Sequence, residues 1–406
     1  MRPYIGSEIG ELESVILHRP GKEMLRLTPE NKDELLFDDV LWLERSQEEH
    51  DQFAKVLTDH GAEVLYLQDL LSETLEVPEA RAYLIEEVLG SCKSSCGQGS
   101  SIQDWAAHLP AAELANILIA GITKEELLEQ LPTVSSMTLS SMEDDDLLLT
   151  PLPNHLFTRD SSSWVYQGVS VNSMQHPARR RESLNYRAIY RWHPLFAQAD
   201  FPLWCEGDAG AGITMEGGDI QIIGNDAVMI GVSERTSPQG VEYLSSRLFA
   251  GGIREVVAVH MAKNRAQMHL DTIMTMVDYG TFTKYVGAGM LPTSTLRPAD
   301  DGSLTITENP PEAMHEVIAA ALGIDELNIL TTPQDLRAAA REQWNDGANT
   351  LAIAPGVVVT YESNVNTNEY LASQGITVHT IPGSELGRGR GGPHCMSCPV
   401  SRKPLP

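Results

Sequence analysis

The sequence predicts an α/β protein assembled as a closed ring of about five similar modules, interrupted once by a helical region. The first observation is a recurring order of helix, glycine and strand. It runs through residues 47–60, Gly61 and 63–67; 238–249, Gly251-Gly252 and 256–260; 311–322, Gly323 and 327–330; and 368–373, Gly375 and 376–380. Apolar residues at helical spacing, a glycine stop and a short apolar run are the local signals used. A poorer copy spans residues 184–204. The second observation is a tight turn before several of these helices. Gly224-Asn225-Asp226 separates residues 220–223 from 227–230, and Pro355-Gly356 separates 351–354 from 357–361, both hairpin signatures. A repeated unit of this size favours a ring of modules over one open sheet. A doubly wound sheet also alternates strands and helices, but no Gly-x-Gly-x-x-Gly opens a helix early in the chain.

Taken in order, residues 12–18 alternate as a strand and end in an Arg19-Pro20-Gly21 turn. Residues 70–149 then break the pattern, with helical spacing and few strand signals. Within them Ala111–Ala120 is apolar and helix-prone, and Thr123-Lys124-Glu125-Glu126 is a capping box. Glu143-Asp144-Asp145-Asp146 reads as a solvated acidic turn, because the ligand spacing of an EF-hand is absent. The expected division is therefore an α/β body of residues 1–70 and 150–406, with residues 71–149 as an inserted helical domain.

The 406 residues are 42% hydrophobic and 21% charged, ordinary for a globular protein. No apolar run reaches the length of a membrane span. Met1-Arg2-Pro3-Tyr4-Ile5-Gly6 lacks the apolar core of a secretion signal, so a cytoplasmic location is expected. A formal net charge of -27 argues against nucleic acid, whose phosphates need a basic face, and is compatible with a cationic substrate. The five cysteines, Cys92, Cys96, Cys205, Cys395 and Cys398, have no disulfide-framework spacing. Cys395-x-x-Cys398 beside His394 has neither the second Cys pair of a zinc site nor a thioredoxin-like setting. Cys92 and Cys96 sit among Ser, Gly and Lys and read as an incidental loop pair.

Chemistry concentrates in a few stretches. Gly387-Arg388-Gly389-Arg390-Gly391-Gly392-Pro393-His394-Cys395-Met396 excludes a helix and suits a backbone folded around a small molecule. Its arginines and histidine are expected to lower the Cys395 thiol pKa and favour the nucleophilic thiolate. Asn154-His155-Leu156-Phe157-Thr158-Arg159-Asp160 ends in a charged pair before a strand. Glu216-Gly217-Gly218-Asp219 sets two carboxylates around two glycines. His269-Leu270-Asp271-Thr272 reads as a strand start with His269 and Asp271 on one face. Arg179-Arg180-Arg181 and Arg235 supply cations. Each alone has an ordinary explanation: a surface salt bridge, a satisfied core histidine, a solvated arginine face. Together they compose one site with a thiol, a histidine and several carboxylates.

These segments, with Ser7-Glu8-Ile9-Gly10 and Leu17-His18-Arg19-Pro20-Gly21-Lys22-Glu23, resemble the arginine deiminase family. The similarity runs from end to end in the family's order. It implies the guanidine-modifying, or pentein, superfamily fold: a five-module pseudo-symmetric α/β propeller with an inserted α-helical domain. It further implies hydrolysis of L-arginine to L-citrulline and ammonia as a first step of arginine catabolism, without metal or cofactor, by a homo-oligomer of two or more subunits.

By position in the matching motifs, the resemblance makes Cys395 the nucleophile and His269 the proton carrier, with Glu216 orienting it. Asp160 and Asp271 would grip the substrate guanidinium, a fork of five donors matched by paired carboxylates. Arg179 and Arg235 would bind the substrate carboxylate, with Arg181 competing for that role. Asn154, Phe157, Gly389 and Leu41 would line the site. Arg390 would sit on a mobile loop beside the nucleophile. The competing readings are a sister enzyme acting on a methylated arginine or agmatine, an amidinotransferase, a non-catalytic arginine sensor, and a zinc or redox protein using Cys395 and Cys398.

Overall fold

The structure is a computed structural model that describes residues 2–90, 99–132, 134 and 136–405. Cys92 and Cys96 lie outside the described residues. Five sheets share one wiring: two antiparallel strands, then a helix, then a third strand parallel to the second. A parallel return needs such a crossover, and a helix fills it while covering the sheet.

The second sheet joins Ser162–Val165, Gly168–Val171 and Leu203–Glu206, with helix Arg180–Trp192 between the last two. The third joins Ile220–Gly224, Ala227–Val232 and Glu255–His260 around helix Pro238–Ala250. It is widened by the hairpin Thr293–Pro298 and Leu304–Asn309, which the sequence reading did not anticipate. The fourth joins Met274–Asp278, Thr281–Lys284 and Asn328–Leu330 around helix Met314–Leu322. The fifth joins Leu351–Ala354, Val357–Tyr361 and Thr377–Ile381 around helix Val365–Ser373.

The first sheet uses the chain's two ends. Cys398–Arg402 lies antiparallel to Leu12–Leu17, which runs parallel to Glu63–Tyr66 after helix Leu43–Asp59. That pairing carries the glycine-rich stretch of residues 387–392 back to the first module. The glycine after the helix recurs with positive φ at Gly61 (90°), Gly252 (97°), Gly323 (75°) and Gly375 (88°). A residue with a Cβ resists this left-handed exit, which is why the stop is written as glycine each time.

The described residues between 67 and 141 are mostly helical, with helices Leu67–Leu75, Pro78–Leu84, Ala111–Ala120 and Lys124–Gln130. Ile122–Thr123 and Leu147–Leu149 close them as a short ribbon. The capping box is present: Thr123 Oγ1 accepts from Glu126 N–H and Glu126 Oε2 accepts from Thr123 N–H. Leu71, Leu114 and Leu118 share one apolar cluster with Trp164, Tyr186 and Ile189. The helical region thus buries its apolar face against the second module. No helix among the described residues is long and apolar enough to cross a membrane.

Candidate active site

The site residues come from one recurrent place in the fold, the turn just before the first strand of a sheet. Thr158–Ser161 precedes Ser162–Val165 and carries Asp160. The Gly217–Asp219 turn precedes Ile220–Gly224 and follows Glu216. Leu270–Thr272 precedes Met274–Asp278 and carries Asp271, with His269 as its extended N-cap. This corrects the expected strand at residues 269–272: the stretch is a 3-10 turn, which still delivers both side chains. Cys395 precedes Cys398–Arg402 in the same way.

Glycines permit the approach. A Cβ at Gly218 would stand 2.8 Å from the His269 ring and 3.0 Å from Asp160 Oδ1, and one at Gly217 would strike the Arg159 carbonyl. A Cβ at Gly389 would lie 2.7 Å from the Phe157 ring. Phe157 itself stacks against Phe37 at 6.3 Å between centroids.

His269 Nε2 is 2.8 Å from Glu216 Oε2, and its Nδ1 is 3.8 Å from Asp160 Oδ1. Burial opposes the imidazolium, but Asp160 and Glu216 outweigh it and raise His269 to about 9. Glu216 is held far below the usual carboxylate range; burial works against this, and Arg235, His269 and Arg179 overcome it. Asp219 accepts from the Leu270 N–H at 2.9 Å and from Ser233 Oγ at 2.6 Å, so it anchors the residue next to His269. Burial pushes Asp219 up to about 7.

Cys395 Sγ lies 3.5 Å from Asp271 Oδ2 and 3.1 Å from Asn349 Nδ2. Asp271 Oδ2 also meets His394 Nδ1 at 2.8 Å, and His394 Nε2 is 3.3 Å from Glu8 Oε2. Asp271 is lowered: burial resists, but the His394 bond prevails. The expectation of an arginine-activated thiol is overturned. Burial, then Asp271, Asp160 and Asp346, hold the Cys395 thiol well above its ordinary value. Arg388, its neighbour in sequence, is turned outward to Asp39 and Glu385. Arg390 has a left-handed φ of 64°, and its guanidinium lies over the Trp344 ring, 3.5 Å from the centroid.

Leu36, Asn154, Phe157, Asp160, Arg179, Arg235, Arg265, Met268, His269, Gly389, Arg390 and Cys395 line one narrow cavity. Asn154 donates from Nδ2 to the Leu35 carbonyl at 2.7 Å. Arg179 is fully engaged, donating to Asp160 Oδ2 at 2.6 Å, to Glu182, and to the Asn154 and Phe157 carbonyls. Arg235 donates to Glu216 at 3.2 Å, and its buried Nε has no hydrogen-bond partner. Arg181 instead reaches the Thr150 carbonyl, away from the cavity. Leu41 does not line the cavity. It is buried in the adjacent apolar cluster with Leu35 and Phe37, while Leu36, at φ 63°, takes the lining position.

Asp160, Glu216 and His269 present ligand atoms within 4.8 Å of one another, close enough to share a cation. Arg179 and Arg235 already stand against the same carboxylates, so an ion would compete with two buried guanidinium groups. Cys398 is not at the cavity; its thiol donates to the Ser162 carbonyl, and burial raises it to about 11.

The sequence reading missed residues 344–349. Trp344 meets Arg390, Asp346 is buried with both carboxylate oxygens unpartnered, and Asn349 holds Cys395. The signal was present: a polar turn directly before the strand Leu351–Ala354, as in the other modules.

This geometry sets a buried cysteine and a histidine among several carboxylates, on an α/β scaffold of small repeated sheets. The chain belongs to the arginine deiminase family, whose profile matches residues 33–402. Among solved structures it is similar to the product-bound N-terminal domain of ArgZ, an arginine dihydrolase of the ornithine–ammonia cycle in Cyanobacteria. That match has 12% identity, covers 97% of this chain and 99% of the other, and has a TM-score of 0.56. It is also similar to a dimethylarginine dimethylaminohydrolase in adduct with S-methyl-L-thiocitrulline (14%, 95% and 99%, TM-score 0.52). A third is the Pseudomonas aeruginosa enzyme of that type complexed with citrulline (15%, 96% and 99%, TM-score 0.53). At these identities the likeness is one of fold: α/β, with several small sheets and helices.

Proposed function

We propose that the protein is an arginine deiminase, hydrolysing L-arginine to L-citrulline and ammonia through a covalent thiouronium on Cys395. The observation that carries the reading is a pair of vacant acceptors. Asp160 Oδ1 and Asp271 Oδ1 are buried without a hydrogen-bond partner, near the buried thiol of Cys395. Leaving such oxygens unpaired is costly, and a guanidinium supplies the missing donors.

The steps follow from the charges. The incoming cation offsets the carboxylates that keep the thiol protonated, so sulfur loses its proton to solvent when substrate is bound. The thiolate attacks the guanidinium carbon, forming the C–S bond. His269, protonated at neutral pH, gives its proton to the departing nitrogen as the C–N bond breaks. The neutral imidazole then takes a proton from water. The hydroxide adds to the thiouronium carbon, the C–S bond breaks, and the proton of the added hydroxyl passes to the departing sulfur, leaving neutral citrulline and the resting thiol. Glu216 keeps His269 oriented and charged. Arg235, with donor capacity left, is the better placed of the two arginines for the substrate carboxylate; Arg179 would have to exchange a partner. Arg390 forms a wall between the inner cavity and an outer pocket with Asp38, Trp344 and Arg388, and would move as substrate enters.

We read the five sheets as blades of a pseudo-symmetric propeller whose pre-strand turns meet at the site. Residues 1–70 and 150–406 form this catalytic body, and 71–149 an inserted helical domain. The same reading places a homo-oligomer in the cytoplasm.

The test is an ammonia and citrulline assay with arginine alone, repeated with agmatine and methylated arginine. One ammonia per citrulline, from arginine only, is expected. No turnover of arginine, or preference for another guanidine, overturns the reading. A product hydrolysed a second time would point to a dihydrolase.

A further inference from the structure

We propose that Asn349 is a catalytic residue of this site, its side-chain amide donating a hydrogen bond to the Cys395 sulfur and stabilising the thiolate. The inference rests on the reading of Cys395 as nucleophile and adds a group that reading did not contain.

The amide orientation follows from its neighbours. The Cys395 backbone N–H can only donate, so the Asn349 atom 3.1 Å from it is Oδ1. The Asp271 carbonyl can only accept, so the atom 3.1 Å from it is Nδ2. The second Nδ2 hydrogen is then free for Sγ, also at 3.1 Å. One side chain thus clamps the nucleophile's backbone and its sulfur, and ties both to the segment bearing Asp271. Asn349 is wholly buried, so the donor is shielded from water.

Space for the clamp is reserved. A Cβ at Gly392 would fall 2.8 Å from Asn349 Oδ1 and 3.0 Å from its Cβ. Asn349 also occupies the fifth module's version of the turn that yields Asp160, Glu216, His269 and Cys395 elsewhere. The need is clear from the charges: Asp271, Asp160 and Asp346 all disfavour sulfur as an anion. A neutral donor lowers that cost without adding a cation that would repel the substrate guanidinium. The same bond serves twice, when the thiolate attacks and when it is expelled by hydrolysis of the thiouronium.

The test follows thiolate formation in the free enzyme, without arginine. Alkylation of Cys395 by iodoacetamide is measured against pH, with thiolate absorbance near 240 nm as a second readout and Cys395→Ala as the blank. Asn349→Leu removes the donor, and the near-isosteric Asn349→Asp keeps an acceptor for the Cys395 N–H while losing the donor. Both should shift the inflection upward, slowing alkylation at neutral pH by about tenfold or more, Asp more than Leu. In the arginine assay kcat should fall while KM changes little. If either variant folds like the parent and keeps the parent's alkylation profile, Asn349 only spaces the backbone and the proposal is wrong. Because alkylation needs no substrate, it stands apart from the assay that decides the arginine reaction.

Discussion

Arg390 sets its guanidinium carbon 3.5 Å from the centre of the Trp344 ring, with none of its three nitrogens hydrogen-bonded. The Asp38 carboxylate lies 3.9 Å from Nε, and the buried Asp346 carboxylate also attracts the guanidinium. A buried guanidinium held by an aromatic face rather than by a fork of acceptors is loosely retained, at roughly 0.5–2 kcal/mol. Binding of arginine to the Cys395→Ala protein should therefore move Arg390 off Trp344 and change the tryptophan fluorescence. The change should vanish in a Cys395→Ala, Trp344→Phe double variant. An equal change in both would show that Arg390 stays in place.

The His269–Glu216 pair makes a claim about pH. His269 is raised to about 9, so its acid form persists through neutrality and is lost as pH rises through that value. Replacing Glu216 with Gln removes one of the carboxylates that hold it there, while Arg179 and Arg235 remain. The alkaline limb of kcat/KM should move down by at least about one pH unit. The rate at neutral pH should fall by about 10²–10⁴. An unmoved alkaline limb would detach His269 from the proton transfer.

Two cysteines three residues apart should behave oppositely. Cys395→Ala should abolish turnover, because no other thiol among the described residues lines the cavity. Cys398→Ala should keep most activity and lose about 1 kcal/mol of stability, since it fills a buried strand position. Assaying both variants for citrulline and for urea unfolding checks the pair; the reverse pattern would move the nucleophile.

Acid should destabilise the fold through buried histidines. Burial lowers His50 from 6.5 to about 3, and both its ring nitrogens lack partners; His155 is lowered too. The folded value lies below the unfolded one, so the unfolded chain takes the proton first. Stability is intact above about pH 6.5 and falls as pH drops toward 3, by about 2 kcal/mol at pH 5 for His50. In His50→Leu the loss between pH 7.5 and pH 5, measured by chemical denaturation, should shrink by about that amount. An unchanged loss would place the acid sensitivity elsewhere.

The modules were legible because their signals are local. The glycine exits at Gly61, Gly252, Gly323 and Gly375, and the hairpin turn at Pro355-Gly356, act through backbone freedom that neighbouring residues cannot override. The hairpin of Thr293–Pro298 and Leu304–Asn309 escaped because its second strand is largely exposed and lacks a buried apolar face. Asn349 and Trp344 escaped because an amide and an indole carry no charge pattern, although their turn precedes a strand like the others.

What the chain determined by itself was the set of side chains and the turns that present them: Asp160, Glu216, His269, Asp271 and Cys395, each near a glycine turn or a strand start. What only the tertiary structure decided was which charges meet. Arg388 and Arg390 precede Cys395 closely in sequence, yet one faces Asp39 and the other Trp344, while the charges that dominate at the sulfur are carboxylates from distant modules. Electrostatic energy depends on separation in space and on burial, and chain proximity reports neither.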